Sequence, residues 1–341
     1  MAKVIIIGGG PAGCEAAYQL ARQGVEVTLI EKNSEIGGNL NNWYQLFPDR
    51  KYAKALNDEL QQHLQHPAIT LHLNKEPRNI ERLPTGFSLL LSDGSQVEGD
   101  ALLLTTGFRL FNAQRKEEYG YGIYENVITS VELENLFYNR QVLTRQGLPP
   151  RRIGFIHCVG SRDEKVCNFH CTKLCCITGV KQAIELRELL PEAEIFCFYM
   201  DMRMFGPGYE ELYRSAQEQH HIKFIRGRLS EASENLHKQV AIKVEDTLVG
   251  KPLRMTLDLM VLLVGMEASE GSRSLAQRLH LPLAPNGFIQ TLDPHYRNNH
   301  TPTPGIFVAG CCSAPMSLTD TLADSRSATL HLLEYLQSRT N

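Results

Sequence analysis

The 341-residue chain lacks most of the features that place a protein in a special class. It has a single tryptophan and no low-complexity tract, while 43% of its residues are hydrophobic and 21% charged, an ordinary composition for a soluble globular protein. Neither sign of charge is in excess. With a formal net charge of −3 and no long basic run, the sequence has no electrostatic footprint for nucleic acid or an anionic membrane surface. Long apolar runs are missing too. The longest, around Leu259–Met266, falls well short of the roughly 20 residues of a membrane-spanning helix, so direct membrane insertion is not expected. The N-terminus enters a strand at Val4–Ile7 without the regions of a signal peptide, which predicts a cytoplasmic protein. The length suits two domains, each with a real core.

Cysteine is plentiful. Five of the nine fall between Cys158 and Cys176, and in a reducing compartment such clustering points to metal or redox chemistry before structural disulfides.

The first 31 residues form a complete nucleotide-binding pattern. Lys3–Ile7 is an apolar run suited to a parallel strand buried on both faces. Gly8-Gly-Gly10-Pro11-Ala12-Gly13 follows and matches G-x-G-x-x-G. A helix to about Gln23, a stop at Gly24 and a second strand Val25–Ile30 lead to Glu31. Gly8 permits the tight turn, Gly10 admits a pyrophosphate to the backbone, and Gly13 lets helix and strand pack closely. The helix N-terminus faces the phosphates, and Glu31 can accept from both ribose hydroxyls.

Further along come Gly37-Gly38, a strand closing on Thr106-Gly107, and Thr303-Pro-Gly-Ile-Phe-Val-Ala-Gly310. In this order the motifs resemble the glutathione-reductase-like flavoproteins with two dinucleotide folds. The resemblance implies an α/β protein of two Rossmann-like domains, glutathione/thioredoxin-reductase-like, with the second inserted in the first. It implies FAD, not NAD, at the first turn. The implied contacts are Gly8, Gly10, Pro11, Ala12, Gly13, Glu31, Lys32, Gly38, Asn39, Pro77 (through its backbone, near the adenine), Thr106, Gly107, Gly310 and Thr321. The corresponding division is residues 1–114 and 282–341 for the FAD domain, 115–150 as a connection ending at Pro149-Pro150, and 151–281 for the second domain. Between the motifs, a helix at about Tyr52–His63 leads into a short meander containing Ile69–Leu73 and Phe87–Leu91. Thr321-x-x-Asp324 reads as a capping box opening the last helix.

The second domain opens with strand Arg152–His157, where another G-x-G-x-x-G should hold a nicotinamide cofactor. Cys158-Val-Gly160-Ser stands there instead, so at most a degenerate NAD(P)H site is expected. The thiols run Cys158-x12-Cys171-x3-Cys175-Cys176. Four thiolates suit a 4Fe–4S cluster and also tetrahedral zinc, although zinc sites usually show paired C-x2–4-C units. A vicinal Cys175–Cys176 redox pair is a third reading. Cys167 is left as a non-ligand, and His157 and His170 as packing neighbours. Cys311 and Cys312 read as packing residues or a second dithiol.

Cys158-Val-Gly-Ser-Arg-Asp163, then Cys-x3-Cys-Cys with Lys181 five residues beyond, resembles the A subunit of heterodisulfide reductases (HdrA). So do Tyr119-Gly-Tyr-Gly, Arg203-x-Phe-Gly-x-Gly-Tyr-Glu-Glu211 and Ala309-Gly-Cys-Cys-Ser-Ala-Pro315. The form here is compact and resembles the A subunits of Hdr-like complexes of sulfur oxidisers. This resemblance implies a 4Fe–4S cluster on Cys158, Cys171, Cys175 and Cys176, FAD beside it, and Lys181 at flavin N5. It implies an oxidoreductase subunit that interconverts two-electron and one-electron transfer in sulfur or disulfide metabolism, with HdrB-like and HdrC-like partners and a homodimer. The alternatives are the A subunit of a quinone-interacting oxidoreductase complex and a stand-alone FAD-dependent NAD(P)H–disulfide reductase using Cys175 and Cys176.

Overall fold

In the computed structural model, residues 1–339 are described. Along the chain the first elements are β1 (Lys3–Ile7), α1 (Pro11–Arg22), β2 (Glu26–Ile30), α2 (Ala53–His63) and β3 (Ile69–His72). Then come β4 (Pro77–Leu83), β5 (Gly86–Leu91), β6 (Gln96–Gly99), β7 (Ala101–Leu104) and β8 (Phe108–Leu110). Next are β9 (Val127–Thr129), α3 (Ser130–Tyr138), β10 (Arg152–Val159), α4 (Cys175–Leu189), β11 (Glu194–Tyr199), α5 (Tyr209–Glu218) and β12 (Lys223–Arg226). The remainder is β13 (Leu229–Glu234), β14 (Val240–Asp246), β15 (Lys251–Leu257), β16 (Leu259–Val264), β17 (Met266–Ala268), α6 (Glu270–Arg278), β18 (Ile306–Val308) and α7 (Leu318–Ser338).

The chain divides into two units. One comprises Met1–Asn41, Lys54–Arg109 and Glu267–Asn341, and the other Asn42–Ala53 and Leu110–Met266. The second is thus inserted in the first, and each contains a five-stranded parallel sheet. In unit 1 the order is β18-β7-β1-β2-β3, and in unit 2 it is β12-β11-β10-β16-β9. Both follow the doubly wound pattern in which a ligand binds beyond the C-terminal ends of the central strands. The burial explains why. Val4, Ile5, Ile6 and Ala101–Leu104 are all fully buried, as are Met260–Leu262, which is what a sheet covered on both faces requires. Antiparallel sheets β4-β5-β6 and β13-β14-β15 are appended, and β8 and β17 form a two-stranded sheet.

Several boundaries differ from the sequence reading. Ile69–His72 is not part of a meander but pairs in parallel with β2 as an edge strand of the unit 1 sheet. The stretch 115–150 is no mere connection. Its strand β9 pairs in parallel with β16 and supplies the edge of the unit 2 sheet, and α3 is opened by a complete capping box between Thr129 and Glu132. The return to unit 1 falls at Glu267, before α6, and not at residue 282. The short segment 42–53 belongs to unit 2.

Candidate functional site

Unit 1 builds a cradle at the β1–α1 turn. Gly8 adopts φ +116°, and a Cβ there would lie 2.4 Å from the Thr105 carbonyl oxygen. At Gly13 a Cβ would lie 1.9 Å from the Gly8 carbonyl oxygen, so only glycine lets α1 approach the strand. Gly10 is the opposite case: nothing stands within 4 Å of an added Cβ. The space over Gly10 opens at the N-terminus of α1, which starts at Pro11 and has no side-chain cap. Open space plus unbonded amides at a helix N-terminus is the arrangement that takes a pyrophosphate.

The surrounding residues converge on this turn. Glu31, buried at the end of β2, accepts from the Gly9 amide at 2.6 Å and the Asn33 amide at 2.8 Å, which fixes its carboxylate. Gly38 approaches Gly10, with an added Cβ 3.3 Å from the Gly10 Cα. Asn39 donates to the Phe108 carbonyl at 3.1 Å. Thr106 exchanges a hydroxyl hydrogen bond of 2.6 Å with Ser272, and Gly107 turns at φ +62°. Gly310 packs against Ala12 and Thr321, at 2.9 and 3.2 Å from an added Cβ.

Two members of the set stand differently. Lys32 is exposed beyond the turn. The Pro77 carbonyl accepts from Arg278 at 2.7 Å, so the one backbone group Pro77 could offer an adenine already has a partner.

The last helix also departs from the sequence reading. Thr321 and Asp324 do not form a capping box, because α7 starts earlier and the box is Ser317 with Asp320. Thr321 lies buried inside the helix. Asp324 instead accepts from the Gly310 amide at 2.7 Å and from Asn299 at 2.9 Å. Burial raises its pKa against those donors. Ser325 donates to the Ala12 carbonyl at 2.6 Å, tying α7 to the cradle.

Unit 2 carries the thiols. β10 ends at Val159, and Cys158 sits in its last turn at φ +60° with Gly160 at φ +72°. The Cys158 and Cys175 sulfurs lie 3.7 Å apart, far beyond a disulfide bond, and all nine cysteines are free. Cys175 and Cys176 occupy the first turn of α4, whose N-cap Leu174 has no side-chain cap. The helix therefore begins at the thiols and needs no distortion to place them. Cys176 donates to the Asp201 carbonyl at 3.5 Å. The neighbouring Cys158 thiol and burial push the Cys175 pKa well up, and Cys175 with burial does the same to Cys176.

The Cys171 sulfur accepts from the Lys173 amide at 3.3 Å. Among the described residues no three His, Cys, Asp or Glu side chains converge as a metal cage. Cys167 is exposed and turned into the left-handed region. His170 Nε2 lies 3.0 Å from the Met266 carbonyl, and His157 is buried beside Cys176.

The donor set fits an iron–sulfur cluster: free thiols, three of them in apolar surroundings, beside the unbonded amides of a helix N-terminus that favour thiolates. Unit 1 fits FAD by the cradle at Gly10. Cys311 and Cys312 each have backbone partners of their own: the Cys312 thiol donates to the Leu104 and Ala309 carbonyls, and Cys311 to Met316. Burial raises Cys312 to about 12, as expected of a packing thiol.

Lys181 is buried in α4. Its ammonium donates to Glu134 at 2.6 Å and to the Gln45 carbonyl at 2.9 Å, with Glu185 at 3.3 Å. Glu134 also accepts from Gln182 and from the Tyr44 amide. Burial pushes the Glu185 carboxyl up to about 8 against the pull of Lys181, and the Glu134 charge adds to the rise.

Residues 2–126 match the pyridine nucleotide-disulphide oxidoreductase family. The chain is 31% identical to the A-type iron-sulfur component of the CoB–CoM heterodisulfide reductase of Methanocaldococcus jannaschii, over 95% of the chain and 63% of that relative. It is 32% identical to the first of two such A-type components of Methanopyrus kandleri, over 95% and 62%. The chain is similar to the heterodisulfide reductase A subunits over nearly its whole length. It spans a little under two thirds of their length. Its fold is that of thioredoxin reductases: the T. acidophilum enzyme aligns with TM-score 0.66 at 18% identity over 99% of both chains. The Lactococcus lactis enzyme aligns with TM-score 0.68 at 16% identity, over 99% of this chain and 100% of that one.

Some site residues carried no separate signal in the sequence. Arg162 and Asp201 pair at 2.7 Å beside the thiols, and Asp163 lies between Lys116 and Arg228 at 2.7 Å from each. Arg162 and Asp163 stand inside the Cys-Val-Gly-Ser-Arg-Asp run, but their partners come from distant strands and loops. Among the described residues no helix is long and apolar enough to cross a membrane.

Proposed function

We propose that this chain is a flavin- and iron–sulfur-containing electron-transfer subunit of a heterodisulfide-reductase-like complex. Unit 1 would hold FAD at Gly8–Gly13, Glu31, Gly38, Thr106–Gly107, Gly310 and Thr321. Unit 2 would hold a 4Fe–4S cluster on Cys158, Cys171, Cys175 and Cys176. The observation that carries this reading is the β10–α4 turn, which presents thiols where a nicotinamide-binding fold presents glycines. When bound, FAD exchanges one or two electrons and such a cluster one at a time, which suits passage between two-electron and one-electron carriers.

The chain's own residues supply orientation and charge. Glu31, fixed by two amides, is placed to accept ribose hydroxyls. The α1 N-terminus is placed for the pyrophosphate. Lys181, ion-paired with Glu134 at 2.6 Å, is the candidate contact to flavin N5. The substrate class follows the names of the relatives, a disulfide or related sulfur compound reached through B-type and C-type partner chains. Dissimilatory sulfur oxidation in the cytoplasm, by a homodimeric A subunit, is the setting we infer.

The reading of Cys175 and Cys176 as the dithiol of an NAD(P)H–disulfide reductase fits less well. Asp201, which stands just past β11 as Glu31 stands past β2 and would there accept the ribose hydroxyls of a nicotinamide cofactor, is committed to Arg162 at 2.7 Å.

Anaerobically purified protein is expected to contain FAD with about four each of iron and acid-labile sulfide per chain. Cys175→Ser should lose iron and sulfide and keep FAD, whereas Cys167→Ser should keep all three. Zinc alone in the thiol site, or rapid bleaching of the flavin by NADPH with no iron bound, refutes the assignment. Anaerobic pull-down with identification of co-purifying chains tests the partners.

A further inference from the structure

Within unit 2, the segment joining Cys158 to Cys171 carries a cation, Arg162, whose side chain turns to a residue bonded to one of the thiols. Arg162 adopts φ +54°, an uncommon conformation for a residue other than glycine. Its amide donates to the His170 carbonyl at 3.1 Å, which closes the segment next to Cys171. The turn sends the guanidinium to Asp201, at 2.7 Å. Asp201 in turn takes the Cys176 thiol on its carbonyl at 3.5 Å. The second terminal guanidinium nitrogen, Nη1, is buried and has no hydrogen-bond partner among the described residues. Against the opposing effect of burial, Asp201 and then the sulfurs of Cys158 and Cys171 raise the Arg162 pKa above its ordinary value, so these sulfurs lie within electrostatic reach.

An arginine so held has a defined cost and no visible structural return for Nη1. A surface ion pair with Asp201 would be made equally well by an arginine whose remaining donors reached water. Buried Nη1 donors without partners are a penalty unless a negative group stands before them.

We propose that Arg162 is a charge-compensating residue for the iron–sulfur cluster held by Cys158, Cys171, Cys175 and Cys176, raising its reduction potential, with Asp201 holding the guanidinium in place. This rests on the functional reading above. Four thiolates with a cluster carry net negative charge, and reduction adds one more. A fixed cation nearby therefore stabilises the reduced form more than the oxidised form, and partial burial limits screening by salt. Arginine suits the task because it stays protonated and its planar fork can serve a carboxylate and a second anion together. Charge and hydrogen bonding around the sulfurs are among the levers that set cluster potentials.

The test is a redox titration followed by electron paramagnetic resonance on the anaerobically purified chain, with iron and sulfide assayed in each sample. Arg162→Gln is expected to shift the cluster potential to more negative values at unchanged iron and FAD content, and Arg162→Lys to stay near wild type. Loaded Arg162→Gln protein with an unshifted potential overturns the proposal. If Arg162→Gln does not load, Arg162→Lys decides: a loaded cluster at near wild-type potential supports a role for the charge, and an empty or shifted site overturns it. A wild-type chain without iron and sulfide overturns the functional reading itself, which separates that failure from this one.

Discussion

Gly10 and Gly13 belong to the same turn, yet methylating them should have opposite consequences. At Gly13 an added Cβ would meet the Gly8 carbonyl oxygen at 1.9 Å and the Thr105 hydroxyl at 2.8 Å. Neither can retreat easily. The Gly8 carbonyl is part of the turn itself, and the Thr105 hydroxyl is donating to it at 2.8 Å. Gly13→Ala gains about 1 kcal/mol in helix propensity, but overpacking of this kind costs about 1–3 kcal/mol or more. At a separation this short the upper end applies, so a net loss of about 2 kcal/mol is expected. At Gly10 the backbone is extended (φ −74°, ψ −177°) and the space is open, so alanine fits. Its folding cost should be within about 0.5 kcal/mol.

The methyl would, however, fill the space in which a pyrophosphate would sit. Loss of two charge-assisted hydrogen bonds at about 1.5 kcal/mol each is about 3 kcal/mol, or roughly 100-fold in FAD affinity. Urea denaturation of flavin-free protein and flavin titration of each variant give the two readouts. Gly10→Ala should separate them, keeping stability and losing flavin, while Gly13→Ala should lose both. A Gly10→Ala protein that binds FAD as tightly as wild type would refute the placement of the phosphates. A Gly13→Ala protein of unchanged stability would refute the packing argument.

The buried carboxyl of Glu185 predicts a pH dependence: its folded pKa of about 8 lies above the ordinary 4.5, so between those values the native state holds a proton the unfolded chain has lost. That contribution to stability is present below the unfolded value and lost as pH rises toward 8; urea midpoints should show Glu185→Gln flattening the fall, and an unchanged slope would contradict it. Asp163→Asn should destabilise unit 2 by about 3 kcal/mol, at the low end for a broken buried pair because Lys116 keeps Glu118 at 2.7 Å. Chemical denaturation with near-wild-type stability would show that the Lys116–Asp163 pair holds little.

What could be read from the chain beforehand divides along a physical line. Features that depend on neighbours in sequence were legible: the first glycine turn, the second strand ending at Glu31, the thiol spacing, and the parallel strands whose side chains are buried on both faces. Features that depend on partners far away were not. β13 and β15 alternate exposed charged residues with few buried ones, so Leu229–Glu234 and Lys251–Leu257 give little apolar signal until β14 pairs with both. Thr321-x-x-Asp324 has the local form of a capping box. Its aspartate is drawn instead to the Gly310 amide and Asn299, and Ser317 three residues before Asp320 supplies the real cap. The thiol site shows both cases at once. Cys175 and Cys176 were placed by spacing, and the α4 N-terminus adds a reason for thiolates there. Arg162 and Asp201, 39 residues apart, become a pair only through the parallel register of β10 and β11, Ile153 beside Ile195 through Ile156 beside Phe198. The ion pairing beside the thiols is therefore set by sheet register, which spacing within a motif does not encode. A cysteine pattern can nominate the ligands of a proposed cluster, but the electrostatics around them must be read from strands that the pattern does not contain.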